Sequence, residues 1–119
     1  MGTFRDLKVW QKSMDLARNV YSLVKGFPKD ELYGLTNQMR RCVVSIPSNI
    51  AEGYGRDTNN EKIHFLFISL GSSNELETQL ILSHDFGYVR DEAFNDALKL
   101  NTEVNKMLSS LIYTLRFPH

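Results

Sequence analysis

Glu61 and His64 stand three residues apart, a spacing that places a carboxylate and an imidazole on one helix face, as in half of a di-iron bundle site. A complete site needs a second such pair and two more inward carboxylates. The second pair is missing: His84 has Ile81 three residues before it, and His119 is terminal. No metal site or cofactor is expected. Ser22 and Lys25 match the S-x-x-K spacing without companion motifs, and Gly53-Tyr54-Gly55 lacks the strand and third glycine of a dinucleotide loop. The single cysteine, Cys42, falls on an apolar stripe as core filler with an inert thiol. With no Ser/His/Asp or Cys/His constellation, the reading is a non-enzymatic protein.

A different set of polar residues recurs at helical spacing. Gln38, Arg41, Ser45, Asn49, Glu52 and Arg56 follow one another every three or four positions, beside an apolar stripe. Serine and asparagine compete for the backbone and lower helix propensity, so a face serving folding alone would carry Lys/Glu pairs instead. The row is expected to make contacts, either as a polar seam between helices or subunits or as a ligand surface. Pro47 interrupts the same segment. A proline inside a helix removes a donor and presses on the carbonyl four residues back, at a cost of about 3 kcal/mol. Either the helix stops at Ser45, or it tolerates a kink that turns the polar row toward a partner.

Four helical segments must position these residues. Leu7, Trp10, Met14, Ala17, Tyr21 and Val24 form the first stripe, widened by Val9, Leu16, Val20, Leu23 and Phe27. Thr3 and Asp6 resemble a capping box, and "FPKD" at 27 to 30 ends the segment. The second stripe is Leu35, Met39, Cys42, Ile46 and Ile50, with Val43 beside it and Gly34 near its start. Thr58 with Glu61 opens a third helix reaching Phe86, which Gly87 closes. Phe94, Ala97, Leu98, Asn101, Val104, Leu108, Leu111, Ile112 and Leu115 mark a fourth. No sustained alternation suggests a strand, and the connections are short. The fold class expected is all-α, an antiparallel up-and-down four-helix bundle forming one domain over residues 1–119.

The third segment is apolar on two sides. Ile63, Leu66, Phe67, Leu70 and Ile81 are assigned to the core, leaving Phe65, Ile68 and Leu76 as a second face for self-association. Glu77 and Asn74 are placed toward the core, with Arg40 or Arg41 reaching Glu75 or Glu77 as a structural ion pair. The small residues Gly71, Ser72 and Ser73 suit close packing. Fourteen basic residues balance fourteen acidic ones, which excludes a whole-molecule field drawing the chain to nucleic acid or an anionic membrane. The balance is uneven, with residues 1–62 net positive and 63–119 net negative, an arrangement that suits attraction between halves of one fold. One cysteine and the lack of a long apolar run lead to the expectation of a cytoplasmic protein with no membrane contact.

Three stretches carry a resemblance: "FRDLKVWQKSMDLARNVY" at 4–21, "YGLTNQMRRCVVSIPSNIAEGYGR" at 33–56 and "FLFISLGSSNELETQL" at 65–80. Together they resemble the bacterial four-helix-bundle proteins encoded within intervening sequences of 23S rRNA genes. The resemblance implies an up-and-down bundle that assembles into a ring-like homopentamer. A related branch, the accessory variability proteins of diversity-generating retroelements, forms basic pentamers that bind nucleic acid and a reverse transcriptase. By that analogy Arg40, Arg41 and Arg56 are the nucleic-acid-binding candidates, and RNA, DNA or a nucleic-acid-handling protein is the implied partner. The alternative is a purely protein-binding or structural assembly, which the neutral charge favours. Arg90 occupies a position where members tend to have a capping Ser or Asp, and Asp91 is expected to take that role.

Overall fold

A computed structural model describes residues 2–118. Four helices account for most of them: α1 (Lys8–Val24), α2 (Asn37–Tyr54), α3 (Asn59–Asp85) and α4 (Asp91–Arg116). Among the described residues there is no strand. Each helix packs against the next in sequence and α1 also packs on α4, so the four close into an up-and-down bundle. The rod measures 47 × 23 × 22 Å.

The ends of the helices follow local chemistry. The Thr3–Asp6 capping box is present, but it caps a single tight turn, Phe4–Asp6, that precedes α1. Thr58 Oγ1 accepts from the Glu61 N–H at 3.2 Å and opens α3. Gly87, at φ +78°, closes it: the N–H of Tyr88 reaches the Ser83 carbonyl and that of Gly87 the His84 carbonyl, a Schellman closure. A tight turn and one wide turn, Leu32–Thr36, delay the start of α2 to Asn37, because Gly34 departs from helical geometry. Glu31 steadies this region by accepting from the Leu35 N–H and from the Tyr88 hydroxyl. That second bond joins the α1–α2 and α3–α4 connections at one end of the rod. It also raises the Tyr88 pKa, with smaller contributions from burial and from the charges of Glu31 and Asp30. Arg90 precedes α4 without a side-chain cap, and Asp91 does not take that role; its carboxylate lies 2.6 Å from His84 Nε2.

Burial bears out the stripes of α2 and α4 and narrows or shifts those of α1 and α3. In α1 the core positions are Val9, Ser13, Leu16, Val20 and Val24, whereas Trp10, Met14, Ala17 and Tyr21 form the flank. In α3 the buried series is Ile63, Leu66, Ser69, Ser73, Leu76, Leu80 and Ser83, with Gln79 buried beside Leu80. From Leu66 onward the spacing alternates three and four, a repeat of about 3.5 residues that tracks neighbouring helices as they coil. Leu76 is therefore fully buried at 0%, and its assignment to an outer face is corrected. Phe67, 43% exposed, and Ile81 point outward instead, as do Asn74 and Glu77.

The core serines are all bonded. Ser69 donates to the Ile46 carbonyl at 2.8 Å, Ser13 to the Trp10 carbonyl at 2.7 Å and Ser83 to the Gln79 carbonyl at 2.7 Å. Ser73 donates to Asn101 Oδ1 at 2.9 Å while Asn101 Nδ2 donates back to the Ser73 carbonyl at 3.0 Å. Small side chains also let helices approach. A Cβ on Gly53 would lie 3.1 Å from the Phe65 Cβ and 3.2 Å from the Lys62 carbonyl oxygen, whereas Gly71 faces open space.

Candidate functional site

α2 does not end at Ser45. It continues through Pro47, whose ring is buried, to Tyr54. Just beyond the proline, Asn49 Nδ2 donates to the Ser45 carbonyl at 2.9 Å and to Ser45 Oγ at 3.0 Å. Ser72 of α3 donates to the same Ser45 hydroxyl at 2.9 Å. The middle of the polar row is thus a hydrogen-bonded seam between α2 and α3.

The ends of the row behave differently. Arg56 pairs with Glu52 at 2.7 Å and lays its guanidinium over the Phe65 ring at 4.7 Å. Toward the other end the helices part around an open groove of about 470 Å³ lined by Tyr33, Gln38, Arg41, Ser45, Glu75 and Gln79, among others. Arg41 is exposed there and makes no ion pair or side-chain hydrogen bond with the described residues. The expected bridges from Arg40 or Arg41 to Glu75 or Glu77 are not formed. Glu75 instead accepts from the Cys42 thiol at 3.4 Å, and Cys42 also donates to the Ser72 carbonyl at 2.9 Å.

Cys42 is buried, and burial first, then the hydrogen bond and charge of Glu75, push its thiol up to about 12. It stays protonated at neutral pH and is a poor nucleophile. His64 meets the Phe65 ring edge-on at 5.2 Å, and His84 stacks on Phe94 at 4.3 Å. Among the described residues no three His, Cys, Asp or Glu side chains gather as metal ligands, and His119 lies outside them.

The three candidate arginines do not form one patch. Adjacent residues on a helix diverge by about 100°. Arg40 accordingly turns toward α1, with its guanidinium 5.5 Å from the Tyr21 ring centroid, while Arg41 turns toward α3. Arg56 lies about 20 Å further along the rod by helical rise. Of the apolar residues assigned to an outer face, Phe65 is half-buried under Arg56 and only Ile68, 39% exposed, is open. A larger apolar surface escaped the sequence reading. Trp10, Met14 and Ala17 of the first stripe, with Val44, Pro47 and Ala51, line a groove between α1 and α2, and Trp10 and Ala17 also pack against the core.

A profile of the 23S rRNA-intervening sequence proteins matches residues 5–110, nearly the whole chain. The chain belongs to this family. A solved structure of similar fold is that of a protein of unknown function from the S23 ribosomal protein family of Bacteroides thetaiotaomicron. It is 28% identical, with a TM-score of 0.79 over 87% of this chain and 97% of that one. None of the curated proteins matches. For this intervening-sequence protein, the seam and groove on α2 and α3 are the candidate functional site. No helix is long and apolar enough to cross a membrane among the described residues.

Proposed function

We propose that this intervening-sequence protein is a non-enzymatic, self-associating module that displays its polar α2–α3 face to RNA, DNA or a protein that handles nucleic acid. The observation that carries self-association is the apolar groove between α1 and α2, formed by Trp10, Met14, Ala17, Val44, Pro47 and Ala51. One copy has nothing to cover it. The occupant proposed is α3 of a second copy, through the exposed Phe67, Ile68, Ile81 and Leu82. Charge supports this pairing, since residues 1–62 are net positive and residues 63–119 net negative. Such a head-to-tail contact uses two different surfaces of each copy and closes into a ring, for which the family resemblance implies five members.

The test is a mass in solution. Analytical ultracentrifugation at micromolar concentration should give a multiple of 13.7 kDa for the native chain and a single copy for Val44→Asp. A native mass of 13.7 kDa would overturn the assembly. A second reading, assembly with protein partners alone, is favoured by the zero net charge and by Arg56 being paired within the chain. The absence of any RNA or DNA binding at low salt would select it.

A further inference from the structure

One end of the bundle is incompletely filled. Because α1 starts only at Lys8, the axis at the level of Ile50 and Leu66 is enclosed by α2, α3, α4 and the single side chain of Leu7. Between them lies a half-enclosed cavity of about 180 Å³. Leu7, Ile50, Leu66, Leu111 and Leu115 wall it, together with Tyr54 and Lys62, the two residues with polar tips. Protein interiors pack as densely as organic crystals, and voids larger than a water molecule are few. An apolar cavity of about 150 Å³ lined by Leu, Ile and Phe stays dry and takes up benzene. The cavity here is no smaller and its wall is almost wholly carbon, so water finds few partners in it. An apolar body the size of one benzene ring fits.

The two polar tips define the rest of the occupant. The Tyr54 hydroxyl is engaged, donating to the Gly2 carbonyl at 3.3 Å, which leaves its ring as wall. Lys62 is half-buried, with its ammonium 5.9 Å from the Tyr54 ring centroid. That ammonium makes no ion pair with any described residue. No acidic side chain lines the cavity. A shallower groove sharing Leu7 and Leu111 adds Lys8 and Lys106, again with no acidic residue in its lining. The local field is therefore positive although the chain as a whole is neutral. A cation is repelled there, and a phosphate calls for more donors than one ammonium supplies. We propose that the cavity binds a small carboxylate, its benzene-sized apolar body among the leucines and its anionic end on Lys62. An apolar pocket with one placed charge is the usual form of a small-molecule site. This site lies apart from the polar α2–α3 face and stands whether or not that face meets nucleic acid.

The experiment is a methyl-resolved NMR titration of the native full-length chain at low salt with phenylacetate, its neutral isostere phenylacetamide, and acetate. Phenylacetate should shift the methyl signals of Leu66, Leu111 and Leu115 saturably, with nuclear Overhauser contacts from its ring protons to the same methyls. It should bind about 3-fold more tightly than phenylacetamide, a margin that shrinks as salt is added. Acetate, which has the charge without the apolar body, should not saturate. Lys62→Met keeps an unbranched stem and should erase the margin while both aromatic probes still bind. Leu115→Trp should fill the space and abolish binding of both, while the melting temperature holds or rises. The Overhauser contacts locate the site on the native chain even where Leu115→Trp fails to fold.

No saturable binding of phenylacetate, or ring contacts to methyls elsewhere, such as Ala17 and Val44, would overturn the cavity assignment. Unchanged binding by a folded Leu115→Trp would do the same. Equal affinity for phenylacetate and phenylacetamide, or a margin that survives in Lys62→Met, would overturn the carboxylate on Lys62. Binding by a single-copy Val44→Asp chain but not by a native assembly would overturn the proposal by making a neighbouring copy the occupant. Binding gained only on removal of Met1 would overturn it in favour of the chain's own N-terminus.

Discussion

Cys42 shows how one side chain acquires a role that its residue type does not announce. It is a donor inside the α2–α3 seam, bonded to the Ser72 carbonyl and to Glu75. Burial beside a carboxylate favours the neutral thiol and raises its pKa to about 12. Because the folded value lies above the unfolded one of about 8.5, the associated stability is present below pH 8.5 and is lost as the pH rises through 12. At pH 8.5 the folded chain should therefore react with iodoacetamide at least on the order of 100-fold more slowly than the urea-unfolded chain. Mass spectrometry of the labelled protein measures this directly, and equal rates would refute the buried protonated thiol. The inert thiol was legible from the apolar stripe. The grouping of Arg40 with Arg41 misled for a reason at this same scale: neighbours in sequence turn to opposite flanks of a helix.

Among elements, α3 separates what a sequence pattern can reveal from what it cannot. Its existence and both ends were readable, because Thr58, Glu61 and Gly87 act through local backbone chemistry. Its inward face was not, because Ser69, Ser73 and Ser83 occupy core positions without any hydrophobic signal and so shift the apparent stripe onto Phe67 and Ile81. A phase counted at about 100° per residue also drifts by about 20° per heptad from a coiling repeat. The Ser73–Asn101 pair fixes the register of α3 on α4, since sliding either helix would bury both groups unpaired. Ser73→Ala should destabilise the fold by about 1–3 kcal/mol by stranding Asn101, and chemical denaturation would read it. A cost near zero would mean that the pair does not set the register. Gly53→Val should cost about as much by a different route, because its Cβ would press on the Lys62 carbonyl and the Phe65 Cβ where α2 meets α3. Phe65→Ala keeps the Cβ at position 65 and leaves the Lys62 carbonyl in place, so the double variant should recover none of the loss, and a recovery would place the clash elsewhere.

The whole molecule has two unlike flanks: a positive half with an apolar groove between α1 and α2, and a negative half with Phe67, Ile68, Ile81 and Leu82 exposed on α3. In the proposed head-to-tail assembly each flank would cover the other, and an interface that joins unlike surfaces can be broken from either side. In Val44→Asp the groove is charged while α3 is intact, and in Ile81→Asp the reverse holds. Alone, each variant should sediment as a single copy, since burying an unpaired carboxylate in an apolar contact opposes association strongly. Mixed in equal amounts, the two retain one intact groove and one intact α3 surface between them, so they should form a one-to-one pair that grows no further. A two-fold contact of groove on groove predicts otherwise: Ile81→Asp would assemble like the native chain, and Val44→Asp would gain nothing from the mixture. Sedimentation of the two variants, separately and together, therefore distinguishes a head-to-tail ring from a symmetric dimer.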